Sequence, residues 1–144
     1  KKTYFKKGNF ISRLSKELLV TKNEVLESIN RKNSLTLDAR HKDRFNGKVK
    51  ELRKGLRSGH IPGSKNIFWG NLINRKGTLV SKKKINNLFN KFHIKDKKII
   101  TSCGSGITAC ILPVSLLHRL KIQTSVYDGS WTEWGQNKKL PISK

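Results

Sequence analysis

The stretch KKIITSCGSGITACILPVSLLHRL, residues 97–120, constrains the fold of this chain more than any other. Its opening, "KKIITS" at 97–102, is a short run with β-branched residues, the pattern of a buried strand. Its close, Ile107 to Leu120, is apolar and long enough for a helix. Pro113 fits there only near the first turn, because deeper in a helix it removes a backbone donor and clashes with the preceding turn. Between the two stand Cys103 and the loop Gly104-Ser105-Gly106. A thiol therefore sits where a strand hands over to a helix.

The same alternation runs through the rest of the chain. Thr21 followed by Glu24 is a capping box, and it predicts a short helix through about Asn30. "SLTLDAR", residues 34–40, reads as a short buried strand. From His41 to Ser58 the sequence is polar and broken by glycine, which predicts a long loop, and loops of that length in a compact domain carry function. A turn at "GHIPGSKNIF" leads to a strand near 66–68. Ser81 caps a helix in which Ile85, Leu88, Phe89 and Phe92 recur at helical spacing. "TSVYDG", 124–129, is a strand closing on an Asp-Gly turn, and "SWTEWG" follows as a loop or short helix. Strands alternating with helices predict an α/β domain, a mostly parallel central sheet with helices on both faces. Ligand sites in such sheets lie beyond the carboxyl ends of the strands, where Asp38, Cys103 and Asp128 all fall.

Composition narrows the class. At 144 residues with 35% hydrophobic and 28% charged residues, the chain is one globular domain by length. No apolar run approaches a membrane span, so no membrane partner is expected. Residues 1–17 are basic and aperiodic and read as a linker or arm, with the domain proper over residues 18–144. The chain starts at Lys1 and has no methionine, so a piece of a longer product is expected. The formal net charge is +23. The lysines are scattered rather than gathered on a stripe and come with no nucleic-acid motif, so weak, salt-sensitive polyanion binding is expected and no specific nucleic-acid partner. Two cysteines exclude a disulfide framework and a zinc site of paired CxxC motifs. A reducing compartment, the cytoplasm, is the expected location.

Cys103 has a definite electrostatic setting. The backbone of Gly104, Ser105, Gly106, Ile107 and Thr108 can turn several N–H groups inward, and the following helix adds the positive end of its dipole. Such a cradle stabilises a thiolate, a persulfide or an oxyanion. A cysteine phosphatase needs arginine after five intervening residues, where this chain has Ala109. A thiol hydrolase needs a histidine base, and no spacing singles out His41, His60, His93 or His118. A redox dithiol needs CxxC, whereas Cys110 is expected to face the core. Asp38 is expected to bond backbone at its strand end, His60 to be a hydrogen-bonded turn residue, and Trp131 and Trp134 to pack over the site.

"CGSGITA", with "LDAR", the "RF" and "G" of "DRFNG", "SGHIPG" and "YDGSWTEWG", resembles the rhodanese superfamily. More narrowly it is similar to the second, catalytic domain of the two-domain 3-mercaptopyruvate sulfurtransferases, from about Phe10 to Ile142. The resemblance implies that Cys103 takes sulfur from 3-mercaptopyruvate as a persulfide and passes it to a thiol acceptor such as a thioredoxin, or to cyanide, without metal or cofactor. It implies that Ser105 assists, and that Arg44 in "DRFNG" and Arg53 in "KELR" hold the keto acid, as planar guanidiniums do for carboxylates. Gly104 and Ser105 stand where thiosulfate-preferring relatives carry basic side chains. The family reads Glu-Pro-Arg where this chain has Glu51-Leu52-Arg53, which implies a less rigid loop. The family also places an inactive rhodanese domain ahead of this one, with the cleft between the two and an acidic residue contributed by the first. Thiosulfate sulfurtransferase activity and a non-catalytic partner-binding module are the alternative readings.

Overall fold

The computed structural model describes residue 4 and residues 6–144. The arm expected over residues 1–17 lies in part outside these; residues 6–15 carry no helix or strand and expose their side chains. Five strands form one parallel sheet: β1 Leu19–Val20, β2 Ser34–Asp38, β3 Lys65–Asn66, β4 Lys98–Ser102 and β5 Ser125–Tyr127, in the order β1-β5-β4-β2-β3. The long central pair, β2 and β4, aligns Ser34 with Lys98 and Asp38 with Ser102. Their carboxyl ends are therefore level, and the residues that follow, Ala39-Arg40 and Cys103-Gly104, emerge side by side.

Five helices cover the sheet: α1 Lys22–Ser28, α2 Lys42–Phe45, α3 Lys82–Asn90, α4 Ile111–Leu120 and α5 Ser130–Gln136. Alternation along β4 sorts the core into two layers. Ile99 turns to the face of α3 and α4, where it joins Leu35, Leu37, Ile85, Phe89, Leu112 and Leu116. Ile100 turns to the opposite face, with Val25 of α1 and Tyr127, Trp131 and Trp134 near α5. Burying each of these large side chains contributes roughly 1.5–3 kcal/mol, so both faces are needed to stabilise a sheet this small.

Several boundaries depart from the expected ones. The span 41–58 is not loop throughout: α2 occupies Lys42–Phe45, because His41 Nδ1 accepts from Asp43 N–H (3.4 Å) and Phe45 buries itself. The strand expected near 66–68 pairs at Lys65–Asn66, while Phe68 leads into a 3-10 turn over Trp69–Leu72. The apolar helix begins as a 3-10 turn, Thr108–Cys110, before α4. Pro113 then lies in the first α-helical turn, where its missing donor is least felt. "SWTEWG" is helical, as α5.

The capping box of α1 forms as spaced. Glu24 Oε2 accepts from Thr21 N–H (2.7 Å) and Thr21 O–H (2.8 Å), and Thr21 Oγ accepts from Glu24 N–H (3.4 Å). The Thr21 backbone bond, then the hydroxyl bond, hold the Glu24 carboxyl below its ordinary value. Stability from this group is therefore present above the ordinary carboxylate range and is lost as pH falls through the lowered value. Thr21→Ala costs about 1 kcal/mol at neutral pH, and in acid titrations followed by thermal melting the gap from wild type narrows below about pH 4.

Candidate active site

Cys103 is the first residue beyond β4 and is 1% exposed. It lines a cavity of about 340 Å³ with Arg40, His41, Arg44, Phe68, Trp69, Gly104, Ser105, Ile107 and Thr108. A larger cavity, about 710 Å³ between α3 and the end of α4, is lined by no cysteine. The thiol is fixed from below by the start of α5. Cys103 N–H donates to Ser130 Oγ (3.0 Å), whose own O–H donates to Tyr127 O (2.8 Å). Trp131 N–H donates to Cys103 O (3.0 Å) and Thr132 N–H to Gly104 O (2.9 Å), with the Thr132 hydroxyl adding a second bond to Gly104 O (2.6 Å). Ser130 holds a left-handed φ of 49° to make these contacts. The Tyr127 hydroxyl is pushed up by burial and by its bond to Glu133, so it stays a neutral donor.

The cradle expected around the sulfur is open. Among the described residues, the N–H groups of Gly104, Ser105, Gly106 and Ile107 donate to no protein acceptor. Unengaged donors beside a thiol are what an anion site requires. Two guanidiniums approach it from the segment after β2. Arg44, on α2, lies over Gly104, with Nη2 3.4 Å from where a Cβ would stand, and is ion-paired to Glu51. Arg40 is almost completely buried. It donates to both oxygens of Asp38 (2.7–3.1 Å), to Glu51 Oε1 (2.8 Å) and to Gly59 O (2.8 Å), and lies 4.5 Å from the Trp131 ring centroid.

Residues 21–137 match the family described as rhodanese-like domain. This chain belongs to the rhodanese-like family. It is 49% identical over 108 residues to thiosulfate/3-mercaptopyruvate sulfurtransferase 1, mitochondrial, of Arabidopsis thaliana, across 74% of this chain and 28% of that one. It is 38% identical to the 3-mercaptopyruvate sulfurtransferase of Escherichia coli (strain K12), across 94% of this chain and 48% of the relative. The crystal structure of Tum1 protein from Saccharomyces cerevisiae superposes with a TM-score of 0.77 at 28% identity, over 89% of this chain and 47% of that one. The chain thus spans less than half the length of these relatives.

The rhodanese domain brings together most of the residues expected at its site. Cys103, Gly104, Ser105, Ile107, Thr108 and Arg44 share the cavity. Arg53 does not line it. Its exposed guanidinium donates to Thr132 Oγ (2.9 Å) in an adjoining cleft of about 170 Å³ that also borders Arg44, Glu51, Gly104 and Ser105. Gly106 is absent from both linings, and its backbone stands at φ +85° against Asp128. Ile107, 78% exposed, is an apolar lip. Cys110 corrects an expectation: it is exposed, because Ala109, Leu112 and Leu116 take the inward face. Its sulfur is still partly covered and donates to Gly106 O (3.5 Å), and desolvation, more than the neighbouring Cys103 and Asp128, pushes its thiol up.

His60 is the turn residue expected, with Nδ1 2.8 Å from Phe45 O and its ring stacked on Phe45. Asp38 bonds Arg40 N–H as expected, but its larger role is the ion pair with the Arg40 guanidinium. Trp131 and Trp134 are wholly buried and lie outside the cavity wall; the aromatics in that wall are Phe68 and Trp69. His41 shares the cavity, yet no hydrogen bond joins it to Cys103 among the described residues. Arg40, Glu51, Ser130 and Thr132 were not singled out by sequence reasoning. Each falls inside a quoted motif, "LDAR", Glu51-Leu52-Arg53 or "YDGSWTEWG", but the motif alone does not show its contact.

A Cβ on Gly106 would stand 2.6 Å from Asp128 Oδ1 and 2.7 Å from Asp128 O. Gly106→Ala therefore destabilises the domain by roughly 1–3 kcal/mol and slows alkylation of Cys103 at neutral pH, read by thermal melting and by peptide mapping after iodoacetamide.

Proposed function

We propose that this rhodanese domain is a sulfurtransferase that carries sulfur on Cys103, with 3-mercaptopyruvate as donor. The observation that carries the reading is the cavity itself, where a nearly buried thiol, unengaged backbone donors and the Arg44 guanidinium converge. In the proposed cycle the Cys103 thiolate attacks the donor sulfur and a new S–S bond forms. The C–S bond breaks, its electron pair passes to carbon as the enolate of pyruvate, and the enolate takes up a proton. Arg44 binds the carboxylate and carbonyl, with Arg53 at the edge of the cleft, and so stabilises the enolate as charge develops. Ser105 supplies a hydroxyl near the reacting sulfur. An acceptor thiol, such as that of a thioredoxin, then attacks the outer sulfur and releases the Cys103 thiolate. A reducing compartment such as the cytoplasm suits a site that must return to a free thiol.

The relatives are longer chains, so a preceding domain that closes the cleft is part of this proposal. Thiosulfate is a second donor reading, favoured by the Arabidopsis relative whose name carries both donors. Intact-mass spectrometry after incubation with each donor tests the chemistry. One added sulfur atom in wild type, absent in Cys103→Ser, is the expected result. Incorporation that persists in Cys103→Ser overturns the carrier assignment. Arg44→Ala is expected to lower kcat/KM for 3-mercaptopyruvate by roughly tenfold to a hundredfold, the worth of a charge-assisted bond, and Arg53→Ala by less, since its guanidinium is solvated.

A further inference from the structure

Glu51 carries a charge that no step of this cycle uses. Its carboxylate is 1% exposed and lies between two guanidiniums: Oε1 accepts from Arg40 Nη1 at 2.8 Å, and Oε2 accepts from Arg44 Nη2. Arg40 is already matched by Asp38 through a two-pronged contact at 2.7–3.1 Å. In charge terms, then, Glu51 cancels Arg44, the guanidinium over the thiol. Arg44 remains 31% exposed toward the cavity while its Nε is buried without a partner. The carboxylate thus anchors one end of the fork and leaves the other to a ligand.

The electrostatic balance of the site follows. Arg40, Arg44 and Arg53 face Asp38 and Glu51, and no lysine lines the cavity or the adjoining cleft. Apart from the attacking thiolate, a single positive charge is left over to meet the donor. Such a site suits a donor with one negative charge; a second negative charge on the donor would find no partner. Removing the Glu51 charge would leave two positive charges, and each added positive charge attracts a dianion twice as strongly as a monoanion at the same distance.

We propose that Glu51 sets the charge class of the sulfur donor: it positions Arg44 and cancels its charge, so that the site selects a monoanionic 2-oxo acid over a dianion such as thiosulfate. This rests on the sulfurtransferase reading above. Gln has the shape of Glu without the charge, and Asp keeps the charge with a shorter reach. In Glu51→Gln the ratio of kcat/KM for thiosulfate to that for 3-mercaptopyruvate should rise roughly tenfold. In Glu51→Asp both values should fall with little change in the ratio. Equal loss for both donors in Glu51→Gln would mean a merely structural role and would overturn the proposal.

Should Glu51→Gln fail to fold, judged by circular dichroism, wild type still decides. Trp69 lines the cavity, so fluorescence titrations can compare pyruvate with sulfate. Tighter binding of pyruvate supports the charge match, and equal or tighter binding of sulfate refutes it. If folded wild type turns over neither donor, the reading of this stretch as a sulfurtransferase on its own fails, and Glu51 is judged apart from it. The same titrations on wild type and Glu51→Gln then test Glu51, with relative sulfate affinity expected to rise in the variant and an unchanged ratio overturning the proposal.

Discussion

The buried guanidinium of Arg40 is the contact on which the site depends. It joins the end of β2 through Asp38, the following loop through Glu51, the turn at Gly59 through its carbonyl, and α5 through the Trp131 ring. Four separate stretches of chain meet at one planar cation. Buried ion pairs add little net stability over a well-packed apolar replacement, yet removing one partner of such a pair costs about 3–5 kcal/mol. The cluster therefore acts as a constraint on arrangement. Through Glu51 it also fixes Arg44, so the groove over Cys103 inherits its shape from a cation that itself stands at the back of the cavity.

The fold explains why so short a sheet can hold a reactive group steadily. The even register of β2 and β4 brings two loops to the same level, and Ala39 N–H donates to Ser102 O (2.8 Å), which extends the ladder one step beyond the strands. The first turn of α5 then ties down the carbonyls of Cys103 and Gly104 while their loop's N–H groups stay free. Acceptors are used for holding and donors are left for binding. That division of labour gives the loop a rigid base and a polar, positive rim.

Much of this was legible in the sequence wherever the signal is local. The capping box at Thr21, the stripe from Ile85 to Phe92, the strand into Cys103 and the glycine loop are each read from residues within a few positions of one another, and each forms. What was not legible depends on distant partners. Glu51 lies 11 residues from Arg40 and Thr132 lies 28 from Gly104, and the motifs that contain them do not say which distant residue each one meets. Cys110 was misplaced because an apolar helix offers no polar face from which to read its orientation. Gly106 came from the glycine loop itself, whose spacing does not say which backbone groups face inward, and Arg53 came from the resemblance, which names a motif but not which side chain reaches the cavity.

The depth of the thiol has a consequence for the order of events. Cys103 is 1% exposed, at the floor of a pocket with an apolar lip at Ile107. A sulfur added to it stands about 2 Å further out, one S–S bond length. In the proposed cycle the loaded protein therefore presents its cargo nearer the opening than the empty protein presents its own thiol. A bulky acceptor that can touch the outer sulfur need not reach the inner one. Depth alone would then separate the two states, with small donors admitted to the bare cysteine and large acceptors engaged once it is charged.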